Sequence, residues 1–331
     1  MQAVVVTDTN GAGVVELQEV PDPRPGPGEV LVRVEAAGVN YHDIIARTGL
    51  LGSAPPFIAG VEGAGTIVEA GPGVDDLALG QRVAWPLAEG SFAELIAVSS
   101  ALVAPIPDAI SVETAAALTA QGVTAHYLAT DAYETAPGHD VLVHAGAGGV
   151  GRLLVRLASH RGARVIATAS TPQKADVAAS AGAAAVFGYD DVVDGARGAT
   201  AGRGVDVVYD GVGKATFEAS LSAVRRRGHV VLYGATSGAV PPFDLRRLSF
   251  LGSPYLSRPA LRDFVASAKE MRARVQAVFD LAESGVLDAS VTGRFHLGDI
   301  ERAHHNLTNR AGWGKQVLLL DSGTRATADV A

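Results

Sequence analysis

The sequence predicts an α/β chain: a β-rich, barrel-like domain first, then a doubly wound parallel sheet covered by helices. Three observations carry this. Residues 1–110 hold short β-branched runs divided by Gly, Pro and Asp turns, with few helical periods between them. From Asp140 onward, strand and helix patterns alternate, which implies parallel strands joined by helical crossovers. One strand-to-helix junction, Val141–Gly151, is rich in glycine.

The elements follow in order. Ala3–Val6, Val30–Val34, Gly65–Glu69 and Arg82–Trp85 read as strands, because β-branched and aromatic side chains fit a pleated, half-buried surface. Pro21–Gly28 carries four prolines in eight residues and must be a loop, since proline lacks the N–H that a ladder needs. Gly71-Pro72-Gly73 is a second turn. Ser111 is a hydroxyl cap before an Ala-rich helical run through Ala120. Beyond it, Val141–His144 is a short buried strand, and Val150–Arg161 is a helix with Leu153, Leu154, Leu157 and Ala158 on one side. Arg164–Ala169 is a second strand and Gln173–Ala181 a second helix. Strands recur at Val205–Tyr209, Val230–Tyr233 and around Ser249–Leu251, and Arg225–Arg227 reads as the cationic end of a helix. After Pro259 come a long amphipathic helix (Leu261–Ser284), a strand (Val291–Phe295), a helix from Asp299 to Asn309 and a strand (Gln316–Leu320). Ser322–Ala331 is expected to fray.

Composition excludes several functions. Apolar residues make up 48% and charged residues 19%, a well-packed composition rather than a disordered one. Lys plus Arg total 27 against 35 acids, a net charge of -8 that repels phosphate backbones and anionic membranes. No nucleic acid partner is expected. With no cysteine there are no disulfides, thiol nucleophiles or thiolate-bound zinc. Met1–Asp8 lacks the basic and apolar regions of a signal peptide. Apolar runs never reach the roughly 18 residues that span a bilayer. A cytoplasmic chain is expected, with no membrane partner.

Gly146, Gly148 and Gly151 satisfy G-x-G-x-x-G between a strand and a helix start. The first glycine permits the turn, the second lets backbone approach a pyrophosphate, and the third packs helix on strand. N–H groups and the helix dipole then hold phosphate. In a chain with 39 glycines the pattern alone is weak; its strand, helix and next strand make it a dinucleotide turn, Gly146, Ala147, Gly148, Gly149 and Val150 forming the cradle. An NAD site usually ends its second strand with an acid for the ribose 2′-hydroxyl. Here that strand runs into Ser170-Thr171-Pro172-Gln173-Lys174, with no acid. Ser170 and Lys174 suit a 2′-phosphate, so NADPH is the expected cofactor.

Gly38-Val39-Asn40, Gly60–Gly65, His144–Gly151, Tyr209–Gly213, Tyr233–Gly238 and His296–His304 together resemble the medium-chain dehydrogenase/reductase superfamily, in its zinc-free quinone oxidoreductase (zeta-crystallin-like) branch. The resemblance covers Met1 to Leu320. It implies a GroES-like β-barrel catalytic domain (1–120), a Rossmann cofactor domain (121–258) and a C-terminal segment (259–331) that completes the catalytic domain. It also implies a homodimer, since relatives pair the sheet edges of two cofactor domains. Zinc-dependent members carry Cys and His where this chain has Asn40 and Val61, so no metal site is expected and Glu62 is a structural carboxylate.

By the same resemblance Asn40 lies near the nicotinamide and is a candidate catalytic residue. Tyr41 is the second candidate, since it and His42 lie close by and could donate, the alternative for each being a packing or surface residue. Thr124, in a Gln121–Thr124 segment that opens the first helix of the cofactor domain, faces the nicotinamide amide; the alternative is a helix threonine bonding its own backbone. Tyr189 covers the adenine or approaches the 2′-phosphate. Tyr233, Gly234, Ala235, Thr236 and Ser237 follow a later strand and supply backbone contacts to the nicotinamide. Relatives often carry a tyrosine where this chain has Ile45, which makes the pocket more apolar. The implied activity is NADPH-dependent hydride transfer to a small electron-poor acceptor such as a quinone. The alternatives are an enoyl or enone reductase and a non-catalytic NADPH-binding protein. His304-His305 is not a metal pair, because adjacent helical residues point apart.

Overall fold

The computed structural model describes residues 1–11, 13–309 and 312–320, so Ser322–Ala331 lies outside the described residues. Two units divide the chain: Met1–Ala117 with Gly293–Asn309 and 316–320, and Leu118–Thr292 with 312–315.

The first unit opens with β1 (Gln2–Asp8), β2 (Val14–Glu19), β3 (Glu29–Val39), α1 (Tyr41–Arg47), β4 (Phe57–Ile58), β5 (Gly63–Ala70), β6 (Arg82–Trp85), β7 (Leu95–Ser99) and β8 (Ala104–Pro105). β1 pairs antiparallel with β2 and β4. The 11-residue β3 is the spine of the larger sheet. It pairs β5 on one edge and β7 on the other. Val4, Val32, Ile67, Trp85 and Phe92, drawn from both sheets and their loops, meet in one buried core. β2 escapes the sequence reading because only Val15 on it is buried, so it lacks a clean alternation.

α2 (Val112–Tyr127) starts at Ser111, whose hydroxyl accepts the Thr114 N–H at 3.1 Å. It runs through Gln121–Thr124 without a break, so those residues sit inside this helix and do not open a new one. The second unit then alternates: β9 (Asp140–Val143), α3 (Gly149–His160), β10 (Arg164–Thr168), α4 (Pro172–Ser180), β11 (Ala185–Phe187), α5 (Val192–Ala199), β12 (Val205–Asp210), α6 (Phe217–Ala223), β13 (Val224–Leu232), α7 (Arg247–Phe250) and β14 (Tyr255–Ser257). The six strands are parallel, in the order β11-β10-β9-β12-β13-β14. This order reverses between β9 and β12, the place where open α/β sheets bind ligands beyond the strand carboxyl ends.

Three local expectations change. Ser249–Leu251 is no strand: Arg247–Phe250 is a helical turn with Leu248 and Leu251 against the core, and the sixth strand comes after Gly252. Arg225–Arg227 lie on β13, since α6 has already ended at Ala223. There Arg225 pairs with Asp206, and Arg203 bridges Asp206 to Asp140. Burial alone would raise the Asp206 pKa, but hydrogen bonds from Arg203, the Asp140 N–H and Arg225 outweigh it and hold that carboxyl well below its usual range. The long helix at Leu261–Ser284 is broken: a short 3-10 turn at Leu261–Phe264 precedes α8 (Ala268–Glu283). Ser267 caps the new start by accepting the Glu270 N–H at 3.2 Å.

α8 also moves a boundary. The segment from 259 does not rejoin the first unit as a whole; only Gly293–Asn309 and 316–320 do so. The reason is packing on α2: Val278 fills the space beside Gly122, Phe264 stacks on Tyr127 at 4.1 Å, and Arg274 pairs with Asp131 at 2.9 Å. β15 (Val291–Phe295), α9 (Ile300–Thr308) and β16 (Lys315–Leu319) are the last elements among the described residues, β16 pairing β3 over Ala36–Val39. α9 fixes α1 through Arg47, which donates to Glu301 at 2.8 Å, to the Gly13 carbonyl at 2.7 Å and lies 3.0 Å from His304 Nδ1. Burial, with Arg47 beside it, brings the His304 pKa down to about 4, so His304 is a neutral partner of Arg47. His305 is exposed and faces Asn309, as adjacent helical positions require.

Candidate functional site

The glycine turn joins the carboxyl end of β9 to α3 and is built by close packing. A Cβ on Gly151 would fall inside contact of the Ala145 carbonyl oxygen and 3.0 Å from its carbon. One on Gly146 would lie 2.7 Å from the Ala167 Cβ. Here the roles expected of the glycines shift: the left-handed residue of the turn is Ala145, at φ +54°, not the first glycine. Gly148, the N-cap of α3, has no side chain to cap the helix. The first-turn N–H groups, which no carbonyl of the helix can reach, are left for an anion. Gln121 reaches across from α2, its amide nitrogen 2.5 Å from where a Gly149 Cβ would sit.

The loop after β10 is as free of acids as the sequence implies. Ser170 and Thr171 are exposed and Lys174 is half-buried in the first turn of α4. Thr171 is the N-cap, accepting the Lys174 N–H at 3.3 Å, with Pro172 next to it. Tyr189 follows β11 and stacks on His144, the residue before the turn, with centroids 6.2 Å apart. Thr124 donates to the Ala120 carbonyl at 2.7 Å, so its hydrogen serves its own helix and its oxygen is what it offers outward.

The Tyr233–Ser237 loop is zipped onto the turn after β12. Tyr233 N–H donates to the Asp210 carbonyl and Ser237 N–H to the Val212 carbonyl, both at 2.9 Å. Gly211 lies under the Tyr233 ring, where a Cβ would come within 2.7 Å of it. Burial, with Asp210 nearby, pushes the Tyr233 phenol up, so it stays a protonated donor. Asp210 organises both loops. It is fully buried and accepts from Val212 N–H (2.8 Å), Gly213 N–H (2.9 Å), the Thr216 hydroxyl (2.8 Å) and the Ser220 hydroxyl (2.7 Å). The sequence reading missed this role. Its signal was an acid at the end of the fully buried strand Val205–Asp210, where a carboxyl group survives only with a full set of donors.

Asn40 and Tyr41 lie on the first unit. Asn40 is the N-cap of α1, its N–H donating to Asp43 Oδ2 at 2.8 Å. Its amide nitrogen donates to Glu62 Oε2 at 2.8 Å and to the Gly38 carbonyl at 3.2 Å. Glu62 is fully buried, so the asparagine supplies a hydrogen bond to a buried carboxyl group where a cysteine would have offered a metal ligand. Tyr41 and Ile45 are half-buried on α1, the helix that Arg47 anchors.

Thus the glycine turn, Lys174, Tyr189, Thr124 and the Tyr233 loop all belong to the second unit, and all but Thr124, on α2, lie at the carboxyl ends of its parallel strands. Residues 26–108 match the family described as alcohol dehydrogenase GroES-like domain, and residues 149–270 match that described as zinc-binding dehydrogenase. The chain is 37% identical to a quinone oxidoreductase of Salmonella typhimurium, over 93% of this chain and 96% of that protein. It is 35% identical to a 2-haloacrylate reductase of a Burkholderia species, over 96% and 99%. A mycobacterial protein solved in complex with NADPH superposes with a TM-score of 0.94 at 42% identity, covering 97% of this chain and all of that one. The chain belongs to the medium-chain dehydrogenase/reductase superfamily, in its quinone oxidoreductase branch.

Proposed function

We propose that this protein is an NADPH-dependent, zinc-independent reductase that delivers a hydride to a quinone. The observation that carries the proposal is the glycine turn at the sheet's reversal point, followed by a second strand with no acid at its end. The turn fits a pyrophosphate, because Gly151 admits close helix packing and the α3 N-cap brings no side chain of its own. Lys174, with Ser170, holds the 2′-phosphate. The Tyr233–Ser237 backbone and Thr124 hold the nicotinamide end. NADPH, when bound, supplies the hydride, and the acceptor takes up a proton as it is reduced. With Asn40 and Val61 in place of metal ligands, the protein does not polarise an alcohol through zinc, which favours an acceptor that is already electron-poor. The relatives named quinone oxidoreductase support this choice.

Ile45 favours a second reading. An apolar side chain there, with the 2-haloacrylate reductase among the relatives, fits reduction of a conjugated double bond. Loss of NADPH absorbance with a panel of small quinones, 2-enones and enoyl thioesters separates the two. The first reading predicts a kcat/KM for the best quinone at least about tenfold above any enone. The reverse order establishes the second reading, and no oxidation by any acceptor rejects both.

Lys174→Glu is expected to raise the KM for NADPH by roughly tenfold or more and to leave the KM for NADH within about twofold, since one charge-assisted contact to the 2′-phosphate is lost. Equal effects on both cofactors would reject the 2′-phosphate role. No helix of the described residues is long and apolar enough to cross a membrane, in keeping with work in the cytoplasm on a small-molecule acceptor; cell fractionation tests that location. A homodimer through the β14 edge is supported by Tyr255 (58% exposed) on that edge strand, with Phe250 (89%) and Leu245 (68%) exposed in the segment that leads into it. Sedimentation equilibrium giving a monomer at micromolar concentration would reject it.

A further inference from the structure

Two buried polar side chains hold the glycine turn from behind. Thr168, the last residue of β10, grips the start of the turn twice. Its carbonyl accepts the Gly146 N–H at 2.9 Å and its hydroxyl accepts the Ala145 N–H at 3.0 Å. The same hydroxyl lies 3.2 Å from His144 Nδ1. Neither side chain is exposed to solvent. Thr168, His144 and Asp210 each follow directly on the paired residues Ala167, Val143 and Tyr209 of three neighbouring strands.

A threonine hydroxyl carries one hydrogen and two lone pairs, and Thr168 Oγ1 spends one lone pair on the Ala145 N–H. Its hydrogen and second lone pair both remain for His144 Nδ1, so the contact orients the hydroxyl in either neutral tautomer of the ring. Burial holds His144 neutral by lowering its pKa, against the opposing pull of Asp210. The Tyr189 ring, in the turn after β11, stacks on it.

Ala145 is where this grip matters. Its φ of +54° is disfavoured for a residue with a Cβ, so the backbone relaxes unless its polar groups are held. Its carbonyl accepts the Gly148 N–H at 2.9 Å and sits against Gly151, at the first turn of α3. We propose that Thr168, its hydroxyl oriented by His144, is a positioning residue for the phosphate-binding turn: it holds Ala145 left-handed and so keeps the α3 N–H groups aimed at the pyrophosphate. This rests on the NADPH reading of the turn.

The test compares two ligands by isothermal titration: NADPH, which needs the turn, and adenosine 2′-monophosphate, which lacks the pyrophosphate. Thr168→Val, which strands the Ala145 N–H, is expected to raise the NADPH Kd about tenfold while leaving adenosine 2′-monophosphate within about twofold. Thr168→Ser keeps the oxygen and is expected to restore NADPH binding to within about threefold of the unaltered protein. His144→Phe is expected to weaken NADPH by about threefold, and Thr168→Val with His144→Phe no more than Thr168→Val alone, since His144 acts through Thr168. If Thr168→Val does not fold, His144→Phe and Thr168→Ser carry the same comparison. The proposal is overturned by unchanged NADPH affinity in Thr168→Val, by equal weakening of both ligands, or by additive effects in the double variant. If the unaltered protein itself fails to bind NADPH, the parent reading falls instead.

Discussion

Gly151→Val is expected to weaken NADPH binding severely, with a Kd raised by up to roughly a hundredfold. The side chain would be forced into the Ala145 carbonyl, which is backbone and already committed to the Gly148 N–H. Neither partner can rotate away, so α3 must lift from the turn and carry its N–H groups off the pyrophosphate. Overpacking of this kind costs about 1–3 kcal/mol, and each 1.4 kcal/mol is tenfold in affinity. Gly149→Ala is the matched control. The neighbour there is the end of the Gln121 side chain, which can swing aside, so a loss of less than about tenfold is expected. Equal losses in the two variants would show that close packing at Gly151 is not what shapes the turn.

Asp210→Ala is the substitution expected to destabilise the protein most. It leaves two backbone N–H groups and two hydroxyls without their acceptor in a fully buried place. Stranded buried donors cost about 1–3 kcal/mol each, so the four together come to about 4 kcal/mol once they have partly relaxed. For a chain of this size that corresponds to a fall in Tm of roughly 10 °C. The Tyr233–Ser237 loop loses its support as well, so NADPH should bind less tightly even below the transition. A melt within about 2 °C of the unaltered protein would show that Asp210 is not the staple that its hydrogen bonds imply.

Much of this architecture is legible in the sequence because two periodicities report it directly. Arg82–Trp85 and Val291–Phe295 are strands with the bounds their patterns give, and the β9–α3–β10–α4 run differs by a residue or so at each end. The misplaced elements have a common cause. Around Ser249 and Leu261 the residues are apolar enough for either strand or helix, and caps decide: Gly252 ends one turn, while Ser267 starts a new helix. The late return of the chain at Gly293 depends on α8 packing against Gly122 and Tyr127, contacts distant in sequence.

The candidate site divides in the same way. Residues proposed to meet a ligand through backbone or charge, such as the turn glycines and Lys174, announce themselves by type and spacing. Those that support the site do not. Asp210, Thr168 and Gln121 look like ordinary members of a strand or helix until the fold brings their partners within 3 Å or so. Asn40 shows the limit for a single residue: its place follows from resemblance, while its commitment to Glu62 is visible only in three dimensions.

The account's central claim is that an acid-free second strand beside this glycine turn selects NADPH. Equilibrium titration of the purified protein with NADPH and with NADH, under one buffer and salt condition, tests it most directly. The account predicts a Kd for NADPH lower by about tenfold or more, the worth of one charge-assisted phosphate contact. Equal affinity for the two, or tighter binding of NADH, would contradict it.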